Sequence, residues 1–256
     1  MLLAIDVGNT QTHLGLFRET GMLQSWRFHT ARTATADELA AVLSALVGLR
    51  DLRLSDVDAA MVSCVVPALS QEYDLMCARY LQGKGALVGP SMRTGMPIRI
   101  DNPRELGADR LVNAIAAYER VGGACIAVDF GTALNYDVVS ADGEYLGGVI
   151  SPGVEISLEA LSQRAAALPK VPLVAPRAAV GKGTLEAIQS GVVFGYAGQV
   201  DGIVGRLREE LGEEATTIAT GGFASTIVPH CDQIDEVDDL LTLQGLQIIW
   251  ERNREP

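Results

Sequence analysis

This sequence predicts an α/β fold built twice, and three observations predict it. Met1–Asp6 and Cys125–Asp129 are both short apolar runs that end in aspartate, and each is followed by x-Gly and a threonine. A strand, a hairpin and a helix can be read after each run in the same order, 123 residues apart when Asp6 is set against Asp129. A repeat this long points to duplicated domains rather than a solenoid. Finally, 48% of the residues are hydrophobic but only 5% aromatic, so the core must rest on Leu, Val, Ile and Ala. The boundary is expected near Gly122. That gives domains 1–121 and 122–256, with the closing helix free to pack back on the first.

Met1–Asp6 reads as a buried strand ending in a tight Gly-Asn turn. Thr12–Phe17 and Gln24–His29 alternate as returning strands. Thr35-Ala-Asp37 supplies capping residues for a helix through about Val47, with Leu39, Val42, Leu43 and Leu46 at helical spacing. Asp58–Val65 is a buried strand, Ser70–Tyr80 a helix and Ile98–Ile100 a strand-like scrap. After the loop 101–109 the pattern turns helical from Arg110 to about Arg120 and breaks at Gly122-Gly123.

In the second half, Tyr136–Val139 and Tyr145–Ile150 are the returning strands, joined by Ala141-Asp142-Gly143. Gly153–Ala167 is a helix ended by Leu168-Pro169. Gly181-Lys-Gly-Thr184 opens a long helix toward Leu211, Thr217–Thr220 is a strand, and Leu243–Arg252 closes the chain. The acidic run Asp232–Asp239 reads as a solvated loop rather than a metal site.

The bulk properties exclude several classes. A net charge of -12 argues against nucleic acid or an anionic membrane surface as partner. Cys64, Cys77, Cys125 and Cys231 are too dispersed for a disulfide framework or zinc cluster. The N-terminus lacks the basic and long apolar regions of a signal peptide, and no apolar stretch is long enough to span a bilayer. A cytoplasmic protein is expected.

The two loops carry the chemistry. In Asp6-Val-Gly-Asn-Thr10 the glycine admits a ligand close to the backbone, and successive N–H groups can point at phosphate oxygens. Asp6 makes sense beside phosphate when Mg²⁺ or its water shell lies between them. One such loop could be an ordinary hairpin turn. Two of them, opening two similar halves in Asp6-Val-Gly-Asn-Thr10 and Asp129-Phe-Gly-Thr-Ala133, favour phosphate binding. The other nucleotide and hydrolase signatures (G-x-x-x-x-G-K-[ST], G-x-G-x-x-G after a strand, H-E-x-x-H, G-x-S-x-G) are absent from the sequence.

What remains resembles the actin, hexokinase and Hsp70 superfamily, in which two ribonuclease-H-like domains clamp ATP between paired loops. More specifically, the ordered set Asp6–Thr10, Gly107-Ala-Asp-Arg110, Asp129–Ala133, Gly147–Gly153, Ala167-Leu-Pro169, Gly181–Thr184, Gln189-Ser-Gly191 and Thr220-Gly-Gly222 is similar to type III pantothenate kinases. The terminal Leu241–Leu246 also looks like that family's last helix. The resemblance implies transfer of the γ-phosphate of ATP to pantothenate, the first step of coenzyme A synthesis.

It further implies site roles. Asp109 would be the general base, where a capping residue for the helix at Arg110 is the plainer reading of the residue alone. Gly107, Ala108, Arg110 and Thr184 would frame pantothenate, Arg110 facing its carboxylate; a helix cap is the plainer reading of Thr184. Asp6, Val7, Gly8, Asn9, Thr10, Gln11, Thr12 and His13 would form the first ATP loop, and Thr132 would touch ATP from the second. Asp129 would hold a monovalent cation (K⁺ or NH₄⁺), and Asp6 would face Mg²⁺. Gly221-Gly222 fits a backbone passing close to the adenosine. A homodimer is implied, with Gly153–Ala167 as the contact helix.

The sequence departs from the family pattern at three places: Ile100 replaces an aromatic wall of the pantothenate pocket, Leu134-Asn135 replaces Thr-Thr, and Gly183 replaces Asn. Two rival readings are a Bvg accessory factor-like regulatory role, for which the sequence offers no basic patch, and a superfamily kinase acting on another small alcohol.

Overall fold

The computed structural model describes residues 1–19, 21–89, 92–165 and 171–254. The chain divides into two compact units. Unit 1 comprises residues 1–95, 102–116 and 242–256, and unit 2 comprises 96–101 and 117–241.

In unit 1, β1 (Leu2–Val7), β2 (Gln11–Arg18), β3 (Gly21–His29), β4 (Ala59–Cys64) and β5 (Gly85–Leu87) form one mixed sheet in the order β3-β2-β1-β4-β5. Strand β1 pairs antiparallel with β2 and parallel with β4, so both its edges are hydrogen-bonded. Alternation then sorts its side chains. Leu3, Ile5 and Val7 enter a core with Leu14, Leu16, Ala60 and Val62, covered by α1 (Ala36–Gly48) and α2 (Pro67–Tyr80). Helix α1 starts at Thr35, whose hydroxyl accepts from the Glu38 N–H while the Glu38 carboxylate accepts from the Thr35 N–H, a reciprocal capping box. Helix α2 begins earlier than its pattern predicts, because Pro67 takes the first-turn position that proline favours.

The opposite face of this sheet lies under α7 (Leu241–Arg254). A Cβ on Gly15 would stand 3.0 Å from the Leu243 side chain. Helix α7 also crosses α3 (Ala108–Val121) at backbone contact, where a Cβ on Gly245 would lie 2.3 Å from the Val112 carbonyl oxygen. Thr242 donates to the Asn113 side chain at the same crossing. The closing helix therefore belongs to unit 1.

Unit 2 repeats the topology. Its strands β6 (Cys125–Phe130), β7 (Ala133–Val139), β8 (Tyr145–Pro152), β9 (Thr216–Thr220) and β10 (Glu236–Val237) lie in the order β10-β9-β6-β7-β8. The central strand β6 is antiparallel to β7 and parallel to β9. Ile126, Val128, Phe130 and Tyr136 pack with Val154 of α4 (Val154–Arg164) and with Val193, Val200 and Val204 of α5 (Thr184–Leu211). Ala224 and Ile227 of the short α6 (Ala224–Ile227) complete this core. No helix among the described residues is long and apolar enough to cross a membrane.

Four local expectations are corrected. Ile98–Ile100 is not a strand but a single bridge from Ile98 to Tyr145. Strands β5 and β10 were hidden, at three and two residues. Helix α4 stops at Arg164, where Ala165 turns extended, and the expected terminator Leu168-Pro169 lies outside the described residues. Part of the acidic run is held in place: Arg120 bridges Glu236 and Asp238, and Arg208 reaches Asp235.

The α3–α7 crossing should tolerate no side chain at residue 245. Gly245→Ala is expected to lower stability by about 2 kcal/mol or more, as overpacking does. Gly48→Ala, at the end of α1 with nothing within 4 Å, should instead gain roughly 0.5 kcal/mol. Urea denaturation of both variants measures the contrast.

Candidate functional site

In unit 1 the β1–β2 connection is the first predicted loop. The Gly8 N–H donates to the Gln11 carbonyl at 3.1 Å, and a Cβ on Gly8 would stand 2.9 Å from that oxygen, so the turn closes only around a bare α-carbon. The Gly8 amide is thereby committed within the loop. The Thr30 N–H donates to the Thr10 carbonyl at 2.9 Å. Arg32 donates from Nη2 to the Asn9 carbonyl (3.2 Å) and to Asn9 Oδ1 (3.3 Å), and from Nε to the same carbonyl (3.3 Å). Arg32 was not flagged by the sequence, because nothing in its local pattern marks a residue that acts on a loop 23 positions away.

Register sets the surroundings of Asp6. It lies opposite His13 on β2 and Ser63 on β4, and His13 lies opposite Arg27 on β3. These four residues form one row across the end of the sheet. Burial and then the Arg27 charge hold the His13 pKa down at about 4, so its imidazole is neutral at pH 7. The fully buried Ser63 hydroxyl has no hydrogen-bond partner among the described residues. A half-buried carboxylate beside an unused hydroxyl fits a hydrated Mg²⁺.

Asp109 lies in the first turn of α3, not before it. The Gly107 carbonyl accepts the Leu111 N–H and so occupies the helix start, which removes the capping reading of Asp109. Asp109 Oδ1 accepts from the Arg110 N–H at 2.8 Å, and a Cβ on Gly107 would lie 2.6 Å from that oxygen. Burial raises the Asp109 pKa, against the Arg110 N–H, the Arg110 charge and its own N–H, which all pull it down. The preceding loop is built by Asn102, whose side chain accepts from the Arg104 N–H and donates to Glu105.

In unit 2, Asp129 ends β6 opposite Asn135 and Thr220. Gly221 has φ +98°, and a Cβ there would lie 2.5 Å from Asp129 Oδ1 and 2.7 Å from the Phe130 backbone. Glycine alone serves both conditions. Gly153, ahead of α4, lies against the second loop, where a Cβ would be 2.2 Å from the Thr132 carbonyl oxygen and 2.6 Å from that of Gly131. Asp129, Thr132, Gly153 and Gly221 are thus brought together. Gly221 thus lets the backbone lie close against the Asp129 carboxylate, an oxygen donor of the kind a hard monovalent cation takes. Thr184 is the first residue of α5, and Gly183 holds the cap position, so capping does not account for the threonine. Ile100 lies over Gly147, 3.6 Å from where its Cβ would be. No group of three or more His, Cys, Asp or Glu side chains suited to a metal occurs among the described residues.

The neutrality of His13 has a measurable consequence. An unfolded chain takes up this proton near pH 6.5, the folded one only near pH 4. Stability should therefore fall as pH drops through that window. An NMR titration should place the His13 midpoint near 4, and His13→Gln should flatten that part of the stability curve; a midpoint near 6.5 would contradict the burial of the row.

The family profile of type III pantothenate kinases matches residues 2–206. A type III pantothenate kinase of Syntrophobacter fumaroxidans is 47% identical over 255 residues, covering 99% of either chain. Among solved structures, a proposed Baf family transcriptional activator of Campylobacter jejuni superposes with a TM-score of 0.61 at 18% identity, covering 99% of this chain and 100% of that one. Component A of the (R)-2-hydroxyglutaryl-CoA dehydratase of Acidaminococcus fermentans does so with 0.58 at 13% identity, covering 99% and 98%. These two likenesses bear on the fold alone, and they agree with two ribonuclease-H-like units that share one five-stranded sheet topology. The profile match and the full-length relative place the chain in the type III pantothenate kinase family.

Proposed function

We propose that this chain transfers the γ-phosphoryl group of ATP to the primary hydroxyl of pantothenate, yielding 4'-phosphopantothenate and ADP in the cytoplasm. Beyond family membership, the observation that carries this reading is Asp109. A carboxylate in the first turn of α3, raised in pKa by burial, is more basic than a free aspartate and is held by the Arg110 N–H. It accepts the hydroxyl proton as the substrate oxygen bonds to the γ-phosphorus and the bond to ADP breaks. Arg110 pairs with the pantothenate carboxylate, and Gly107, Ala108 and Thr184 frame the rest.

The loop from Asp6 to His13 holds the ATP phosphates, and Thr132 is a further ATP contact. Asp6 would face Mg²⁺, which when bound neutralises phosphate charge, and Asp129 would hold K⁺ or NH₄⁺. A domain division at 1–121 and 122–256, with α7 packed back on the first domain, and a homodimer contacting through α4 belong to the same reading. The likeness to the Campylobacter protein, at 18% identity, supports the fold and not a regulatory role.

The purified chain with ATP, Mg²⁺ and K⁺ should phosphorylate pantothenate, and turnover of another alcohol with pantothenate at background would refute the substrate assignment. Asp109→Asn should cost 10² to 10⁴ in kcat, roughly the worth of a positioned base. The same variant should be at least as stable as the parent at pH 7. The raised native pKa means that ionisation opposes folding, and this difference should vanish below about pH 3.8, where both side chains are neutral. Exchanging K⁺ for Na⁺ should suppress the rate, and indifference to the cation would remove Asp129 from that role.

A further inference from the structure

Unit 1 holds a cavity of about 430 Å³ away from Asp109, walled by α1, α2 and the segment that follows β3. That volume suits a small organic molecule rather than a single water. Its inner end carries three buried hydroxyls. Thr12 and Thr30 hydrogen-bond to one another at 2.9 Å, and each oxygen keeps capacity for a further partner. The Tyr73 hydroxyl, on a fully buried side chain, makes no well-formed hydrogen bond; burial pushes its pKa up, and the nearby Thr12 offsets this only in part. Leu39, Leu69 and Val42 supply apolar walls.

Charge narrows the occupant. Among the described residues no Lys or Arg lines the cavity, and the Glu38 carboxylate at its edge is taken up by the Thr35 N–H and hydroxyl. An anion placed here would meet no fixed Lys or Arg charge. An uncharged ring with one hydroxyl or amide would cover the leucines and pair with the hydroxyl group cluster.

The same wall touches the first loop. Residues 29, 30, 31, 33 and 34 line the cavity, whereas Arg32 between them is turned onto Asn9. Thr30 lines the cavity with its side chain among the buried hydroxyls and donates its N–H to the Thr10 carbonyl. We propose that this cavity is a second small-molecule site, which takes an uncharged, largely apolar compound bearing one hydroxyl or amide group and passes its occupancy to the phosphate loop through Thr30 and Arg32. The coupling half of this rests on the kinase reading; the binding half does not.

The test uses the full chain and two probes with the same ring, 4-fluorobenzyl alcohol and 4-fluorobenzoate, followed by ¹⁹F NMR. The alcohol should bind saturably in the millimolar range, and the benzoate at least 10-fold more weakly. Ala41→Trp, which fills the mouth from α1, should abolish binding. Tyr73→Phe deletes an unsatisfied group and should fold normally while weakening the alcohol 3- to 10-fold. No saturation, equal binding of the benzoate, or unchanged binding in both variants would overturn the site.

Saturating alcohol should also shift the ATP dissociation constant by at least 3-fold, measured calorimetrically. Arg32→Ala should retain the ¹⁹F binding but lose that shift. An unchanged ATP affinity in the parent would overturn the coupling. Failure to bind ATP at all would sink the kinase reading and the coupling together, and the ¹⁹F result would still decide the cavity.

Discussion

Each unit depends on a central strand hydrogen-bonded along both edges and apolar until its end, where an aspartate stands. Both neighbours of β1 and of β6 are fixed by register, so the backbone of Asp6 and of Asp129 has no freedom to shift. The cores on one face of each sheet hold the alternate residues in place, Ile5 and Val7 in one unit and Val128 and Phe130 in the other. A carboxylate carried by such a strand is positioned by dozens of contacts that have nothing to do with ligands. That rigidity is what a phosphate or cation site requires, because reaction geometry is lost with displacements of an ångström.

The duplication has been put to different uses. Beside Asp6 the row reads Arg27, His13, Asp6, Ser63; beside Asp129 it reads Ile150, Asn135, Asp129, Thr220. The first contains a histidine held neutral by burial and by Arg27. The second contains no other titratable group. The strand that follows also leaves its sheet differently. In unit 1 the chain passes through Cys64-Val65-Val66 into Pro67, and the Val65 N–H donates to Val7. In unit 2 it passes through Gly221, whose missing side chain lets its backbone lie directly against the Asp129 carboxylate. One ancestral arrangement thus yields a carboxylate flanked by polar side chains and another facing bare backbone.

Most of the fold was legible because its strands and long helices have strong periods and clear punctuation. Thr35-Ala-Asp37 marked the start of α1, and the two strand-Asp-x-Gly patterns exposed the repeat. What escaped had no period to read. Strands β5 and β10 are edge pieces formed because a neighbour is already present, and Ile98 looked like a strand although it has one bridge. Asp109 stood out as a candidate through the resemblance, but its place inside the helix was decided by Gly107, which a capping rule based on side chains overlooks. Arg32, Ser63 and Tyr73 were illegible for one shared reason. Their significance comes from register and long-range packing, and each is an ordinary residue in its own segment.

Asp109 also shows how competing electrostatic effects are resolved by magnitude rather than by rule. A carboxylate in the first turn of a helix sits at the positive end of the macrodipole, which favours its ionised form by typically 0.3–1 kcal/mol. The Arg110 N–H at 2.8 Å and the Arg110 charge act in the same direction. All three would give an unusually weak base. Burial opposes them and wins, leaving the pKa raised. Protein packed around the carboxyl removes water that would have stabilised the anion, and desolvation can outweigh several such favourable contacts. The hydrogen bond then fixes orientation while the environment sets basicity, so the two requirements that the proposed role as base places on Asp109 fall to separate features of the same helix turn.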